Sequence, residues 1–163
     1  MRGFNLIRRI GAAFILFSRL VWWYYATEDQ KMDAPVATKA TVCGITSDEF
    51  LLFSSVVEAE SDRSNDVDSK VYIALVILNR ADPSNYEFPD SITGVIYDPG
   101  QFEVISNGAV SCGNTNSSDM AVIKAFEWIE RGDAPNVMYF NNSGYAYGTP
   151  YGYFGGNYFV TVP

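Results

Sequence analysis

The sequence predicts an α+β protein: a helical core with a small β-hairpin, preceded by an N-terminal membrane-anchor or signal helix. Apolar residues recur at helical spacing over residues 46–60, and residues 68–80 are apolar nearly all round. Gly, Asn and aromatic residues alternate after residue 138, a composition typical of short strands and turns. An apolar run follows three arginines at the N-terminus, which is the pattern of an export signal.

The composition restricts the classes of function. The length of 163 residues fits one domain with a short extension, and an apolar content of 48% supports a packed core. The net charge of -8 disfavours nucleic acid as a partner, because phosphate backbones are repelled. The chain contains no histidine, which excludes Ser-His-Asp and Cys-His catalysis and removes the commonest zinc ligand. We therefore predict a neutral or mixed-charge polymer as substrate, without a cofactor or metal.

The first 45 residues are interpreted as a targeting region. In residues 1–27 positive charge precedes the apolar run and an aromatic cluster follows it, which favours an uncleaved export signal or membrane anchor. Arg19 interrupts the run, so an amphipathic surface helix or a partner-binding helix is the alternative. Residues 28–45 show no lasting period and are predicted to be a linker, which leaves residues 46–163 as the functional domain.

The first domain helix is predicted to begin after Thr46 and to carry Glu58 near its end. Thr46 and Glu49 have the spacing of a capping box, and an apolar stripe follows them. Glu58 comes directly after two valines, at the edge of that stripe. A carboxyl group that is desolvated on one side holds its proton to higher pH, as a general acid must. A solvated glutamate at a helix end is the structural alternative.

The second helix is predicted over residues 68–80, after a polar connection. Asp62, Asp66 and Asp68 suggest a calcium loop, but the required glycine and glutamate are missing. An N-cap role is therefore preferred for Asp66 or Asp68. Asn79 and Arg80 end the helix with two hydrogen-bonding side chains, which we expect to support the neighbourhood of the acid.

The remaining chain is predicted to contain short elements, one further helix and two strands. Ser91 caps a helical turn, and the third helix runs from Ser117 or Ser118 to Arg131. Residues 136–141 and 157–162 are predicted to pair as a hairpin whose long loop is rich in Gly and Tyr.

Two cysteines, Cys43 and Cys112, lie far apart in the sequence. If the protein is exported, we expect them to form a disulfide; a cytosolic protein would keep them as buried thiols.

Together these stretches resemble one family, the cell-wall hydrolases typified by spore cortex-lytic enzymes (SleB/CwlJ type). Their order and approximate spacing agree with the family over about residues 50–160, and the combination is specific. The matching segments are V-V-E-A-E at 56–60, V-I-L-N-R at 76–80, F-P at 88–89, G-V-I-Y-D-P-G-Q-F at 94–102, Y-F-N-N at 139–142 and G-N-Y-F at 156–159.

The resemblance implies a domain related to lysozyme-like lytic transglycosylases, which cleaves the MurNAc–GlcNAc bond of peptidoglycan. The catalytic glutamate of the family, in a Gly-Glu-Ala segment, corresponds to Glu58, with Val57 in place of the glycine. The Gly-x-His-x-Phe segment of the family is matched near Tyr158, but its histidine is absent. If that histidine contacts substrate, Tyr158 must substitute for it.

The mechanism expected from this resemblance needs one acid. Glu58 would protonate the leaving oxygen, and the muramic acid C6 hydroxyl would attack to give a 1,6-anhydro product. Rings and amides are expected to bind the sugars and their N-acetyl groups, or else to serve only the fold. These candidates are Tyr97, Gln101, Phe102, Phe140 and Asn141.

The competing hypothesis is a non-catalytic, membrane-anchored envelope module that binds glycan or a partner protein. The sequence indicates no particular protein partner. It leaves open a bacterial or phage origin, cortex or ordinary peptidoglycan, and hydrolysis or transglycosylation.

Overall fold

The computed structural model describes residues 21–61, 66–85 and 87–162. Residues 21–25 are helical, and a 3₁₀ turn spans Ala109–Cys112. The α-helices after residue 25 are α1 (Glu28–Met32), α2 (Val36–Cys43), α3 (Ser47–Glu60), α4 (Val67–Arg80), α5 (Ile92–Tyr97), α6 (Glu103–Ser106) and α7 (Asn116–Arg131). The strands are β1 (Val137–Asn141), β2 (Thr149–Phe154) and β3 (Asn157–Thr161). The predicted α+β class is confirmed.

The helical core is built around α4, which packs against α7 on one side and β1 on another. Its side chains from Val71 to Leu78, apart from Tyr72, are buried, as expected for a helix that is apolar nearly all round. Each long helix has a side-chain N-cap: Thr46 for α3, Asp66 for α4 and Thr115 for α7. The third helix therefore begins slightly before the predicted serines, because Thr115 supplies the cap.

Residues 28–43, predicted to be a linker, instead form α1 and α2 against the domain. Thr27 caps α1 in a capping box with Gln30. On α2, Lys39 is buried and pairs with Asp119 of α7, with Nζ and Oδ2 2.8 Å apart. The sequence did not predict this packing, because a lysine is expected to be solvated unless its buried partner is known. Here the partner lies 80 residues away in the chain.

The predicted N-terminal anchor, residues 1–27, lies for the most part outside the described residues. Trp23, expected in the aromatic cluster at a membrane interface, is 5% exposed and packs into the core. Its Nε1 donates a hydrogen bond to Glu127 of α7.

Among the helices that the structure describes, none is by itself long and apolar enough to cross a membrane. The helices Val36–Cys43 and Ser47–Glu60 are together long and apolar enough to do so, but a bend of 91° separates them.

The sheet has three antiparallel strands in the order β1-β3-β2. The predicted pairing of residues 136–141 with 157–162 is confirmed, as β1 with β3, but the sheet has one strand more than predicted. The extra strand, β2, comes from the Gly- and Tyr-rich segment that was expected to be a loop. It joins β3 through Gly155 and Gly156, whose φ values of +55° and +87° suit a tight hairpin turn. Phe159, at the centre of β3, is fully buried and fixes the sheet on the helical core.

Candidate functional site

A groove of about 490 Å³ lies where the end of α3, the segment after α5 and the sheet meet. Polar groups and small residues dominate its walls, as expected for a site that binds a hydroxylated polymer. The residues that form it are Ala59, Glu60, Arg80, Gly100, Gln101, Glu103, Val104, Asn107, Ala109, Phe140, Asn141, Asn142, Gly155, Gly156 and Asn157.

Glu60 is the carboxylate that α3 contributes to the groove. It is the last residue of the helix, its side chain is half-buried, and its Oε1 atom is buried. The groove holds a second carboxylate, Glu103, which is exposed. The two acids therefore share one groove but differ in their access to water.

Arg80, at the end of α4, is the cation of the groove wall. It is 5% exposed; its Nε donates to the Met138 carbonyl at 2.8 Å and its Nη1 to Gln101 Oε1 at 3.1 Å. Burial lowers the pKa of Arg80 to about 10, although Tyr139, Asp98 and Glu60 act in the opposite direction. The guanidinium thus stays charged at neutral pH.

Aromatic rings surround the same guanidinium. Its central carbon lies 4.8 Å from the ring centroid of Phe88, 5.1 Å from that of Tyr139 and 5.7 Å from that of Phe102. These rings and the two hydrogen bonds hold the guanidinium in place and so fix the position of Gln101. Arg80 therefore joins β1 to the segment after α5, as a supporting residue would.

Glu58, the predicted general acid, is not among the residues that line the groove. Its side chain is buried, with 5% exposure of the residue, and forms an ion pair with Lys70, which is fully buried. Glu58 Oε2 also accepts a hydrogen bond from Thr115 Oγ1 at 2.6 Å, and Lys70 Nζ donates to Ser117 Oγ at 2.7 Å. These four residues are called the Glu58 network below.

The geometry of the helix explains why the two glutamates of α3 have different surroundings. Successive residues are turned by about 100°, so Glu58 and Glu60 project about 200° apart. Glu58 therefore faces α4 and the start of α7, while Glu60 faces the groove. Residues 53–58 are all buried, so the inner side of the helix is wider than the predicted apolar stripe. The stripe therefore did not show which of the two glutamates faces the groove.

The other predicted site residues divide into three groups. Gln101, Phe140 and Asn141 do meet in the groove. Tyr97 is 56% exposed and lies in a separate hollow beside Pro99, whereas Phe102 is 4% exposed and belongs to the core.

Asn79 contributes to the fold. Its Nδ2 donates hydrogen bonds to the carbonyls of Pro135 at 3.0 Å and Val137 at 2.8 Å. These bonds hold the start of β1 against the end of α4, a structural contact of the kind expected for Asn79.

Cys43 and Cys112, both in the described part of the chain, are not joined by a disulfide. Cys43 is buried among the helices, where burial raises the pKa of its thiol, and Cys112 is exposed. The expected bond is therefore not formed in this structure. Across the ranges described, no group of three or more metal-ligating side chains is found.

Two residues of the site were missed by sequence reasoning, Glu60 and Lys70. Glu60 is followed by polar residues in the sequence, a pattern typical of a solvated helix end. Lys70 carried a usable signal: it begins the apolar segment of α4, where a lysine requires a buried acidic partner.

Comparison with known proteins identifies the family. The family model described as Cell Wall Hydrolase matches residues 64–154, more than half of the chain. The chain belongs to this family. The match begins after Glu58 and Glu60, so it does not distinguish between the two glutamates.

Relatives in this family carry the name spore cortex-lytic enzyme. Those from Oceanobacillus iheyensis and Bacillus cereus are each 30% identical over 99 residues, which is 60% of this chain. The match covers 34% and 36% of those proteins, so the chain spans about one third of their length. The solved catalytic domain of the Bacillus cereus SleB protein has the same fold, with a TM-score of 0.58 and 24% identity over 71% of this chain and 91% of that domain.

Proposed function

We propose that this groove cleaves the glycan strands of peptidoglycan between MurNAc and GlcNAc, with Glu60, in place of Glu58, as general acid and base. The observation that carries the proposal is the position of Glu60, a half-buried carboxylate in a groove that also contains Gln101 and Asn141. The family membership and the name of the relatives support a cell-wall polymer as substrate.

Partial shielding from water is the property that a glycosidic general acid requires. The buried Oε1 of Glu60 fits this requirement, while the open side of the groove leaves room for a sugar. The amides of Gln101 and Asn141 suit N-acetyl groups, and Phe140 offers an apolar surface to a sugar ring. Glu60 would protonate the leaving oxygen as the glycosidic bond breaks.

The second step decides between two reaction types. In a lytic transglycosylase, the C6 hydroxyl of the muramic acid attacks and returns its proton to Glu60, which leaves a 1,6-anhydro end. We favour this route, as in lysozyme-like transglycosylases, because one shielded carboxylate is enough. Glu103 lines the same groove, so a hydrolysis that uses two carboxylates is the second candidate.

The test compares single-charge variants of the full chain on purified, lipid-free peptidoglycan. We expect Glu60→Gln to lower the release of soluble fragments by about 10²–10⁴-fold, the range for a lost general acid, without a change in melting temperature. Glu130→Gln, on the exposed end of α7, is the matched control and should behave as wild type.

Each alternative has its own result. Full activity of Glu60→Gln would refute the proposed acid, and loss of activity in folded Glu58→Gln alone would restore the sequence-based assignment. If wild-type protein binds peptidoglycan but releases nothing, the non-catalytic envelope module is supported. Fragment masses separate the reactions: anhydro ends indicate transglycosylation, and reducing ends with an inactive Glu103→Gln variant indicate hydrolysis.

Cell-envelope location follows as part of the same proposal, because the substrate lies outside the cytoplasmic membrane. The predicted export signal or membrane anchor, residues 1–27, would direct the protein there.

A further inference from the structure

Residues 134–162 include an uncharged, tyrosine-rich surface that the groove does not account for. Residues 134–163 contain none of the charged residues of the chain but six of its eleven tyrosines. In a protein of net charge -8, this is a region where a neutral partner would bury no charged side chain.

Two of these tyrosines, Tyr145 and Tyr153, each contact a third, Tyr158. Tyr153 of β2 and Tyr158 of β3 are paired across the strands, with ring centroids 4.5 Å apart. Tyr145, from the segment between β1 and β2, meets Tyr158 at 5.0 Å. Tyr153 is 56% exposed and Tyr145 45% exposed. These residues are called the tyrosine surface below.

The fold does not need these rings for its core. Side chains alternate between the two faces of a strand, so Tyr153 and Tyr158 project away from their neighbours Phe154 and Phe159. Phe154 and Phe159 face the helices instead and pack on Tyr72, with ring centroids 4.3 Å and 5.5 Å away. Large rings that remain exposed on the other face are typical of a binding surface.

The tyrosine surface is continuous with the groove. Tyr158 lies opposite Asn141 in the β1–β3 register and opposite Tyr153 in the β2–β3 register. Asn141 lines the groove, as does Asn157, the residue before Tyr158. Asn141 of β1, Tyr158 of β3 and Tyr153 of β2 therefore form a row of side chains that leads from the groove wall across the sheet.

We propose that the tyrosine surface is a second carbohydrate-binding site, which holds the glycan strand several sugars away from the bond in the groove. This inference rests on the proposed function for the identity of the polymer. Pyranose rings present apolar C–H faces that stack on phenol rings, and their hydroxyl groups can bond the tyrosine O–H. The absence of charge favours an uncharged sugar backbone over a phosphate polymer or an anionic membrane.

The experiment measures co-sedimentation of the full chain with purified, lipid-free peptidoglycan, in the Glu60→Gln background so that the polymer stays intact. We expect Tyr145→Ala with Tyr153→Ala to weaken binding by about tenfold, the equivalent of two lost ring contacts. Tyr97→Ala is the control, because Tyr97 is as exposed as Tyr153, at 56%, but lies in a separate hollow.

Binding of the double variant at wild-type strength would overturn the proposal, as would equal weakening by Tyr97→Ala. A change of oligomeric state in the double variant, seen by sedimentation velocity, would assign the surface to a second copy of the chain and also overturn it. Fragment release by the wild type is measured separately, so the proposed function and this site can fail independently.

Discussion

The two sides of α3 make different use of the same residue type. On the inner side, Glu58 and Lys70 form a buried ion pair with two hydroxyl partners. On the outer side, Glu60 is half-buried at the wall of an open groove. The comparison shows that burial alone does not place a glutamate beside a groove, since Glu58 is enclosed with a cation and Glu60 borders open space.

The comparison also predicts how substitutions on the two sides differ. Changes in the Glu58 network should lower the free energy of unfolding and spare the chemistry of the folded protein. Changes in the groove should lower the activity and leave the free energy of unfolding nearly unchanged.

The largest effect on stability is expected for Lys70→Met, which leaves the Glu58 carboxylate buried without its cation. Breaking a buried pair in this way costs about 3–5 kcal/mol of the free energy of unfolding. Urea denaturation followed by circular dichroism measures it. Lys124→Met is the matched control, because the Lys124–Asp68 pair is exposed and its loss should cost less than about 1 kcal/mol.

A double variant sharpens this prediction. Lys70→Met with Glu58→Gln removes both charges, so it should be more stable than Lys70→Met alone. If Lys70→Met unfolds at the same urea concentration as wild type, the inner side of α3 does not have the structural role assigned to it.

A smaller effect is expected where the sheet meets α4. A Cβ atom on Gly155 would lie 2.4 Å from Ser69 Cβ, whereas one on Gly156 would meet nothing within 4 Å. Both glycines have positive φ, so each alanine variant carries backbone strain of about 1–2 kcal/mol. We expect Gly155→Ala to cost about 1–3 kcal/mol more than Gly156→Ala because of the added clash.

Thermal unfolding of the two glycine variants measures that difference, and Ser69→Gly should reduce the cost of Gly155→Ala. Equal melting temperatures for the two variants would contradict the close approach of the turn to α4.

The smallest effect on stability is expected for Gln101→Ala on the groove side. Gln101 loses one hydrogen bond, from Arg80, which corresponds to about 1 kcal/mol. Substrate affinity should fall instead, with KM rising about tenfold and kcat little changed, if the amide binds an N-acetyl group. Steady-state kinetics on soluble glycan fragments checks this, and an unchanged KM would remove Gln101 from the binding site.

The sequence brought three groove residues together but did not show which glutamate of α3 faces the groove. Gln101, Phe140 and Asn141 were found because their motifs have a recognisable order, and the structure brings them together. Glu58 and Glu60 are separated by one alanine in a helix end that is buried nearly all round, so periodicity carries no information on which of them faces the groove. Only the positions of Lys70 and Thr115, which lie on other elements, show that Glu58 faces the interior.

By itself, the sequence determined the α+β class, the main helices with the Thr46 cap, the resemblance to cell-wall hydrolases and a few residues of the polar groove. These features depend on local spacing and capping, which a single segment contains. The tertiary structure decided that residues 28–43 pack as helices, that the sheet has a third strand, and that Glu60 faces the groove. Those outcomes depend on partners distant in the chain, such as Asp119 for Lys39 and Lys70 for Glu58, because a charge is stable in the interior only where folding supplies groups that interact with it favourably.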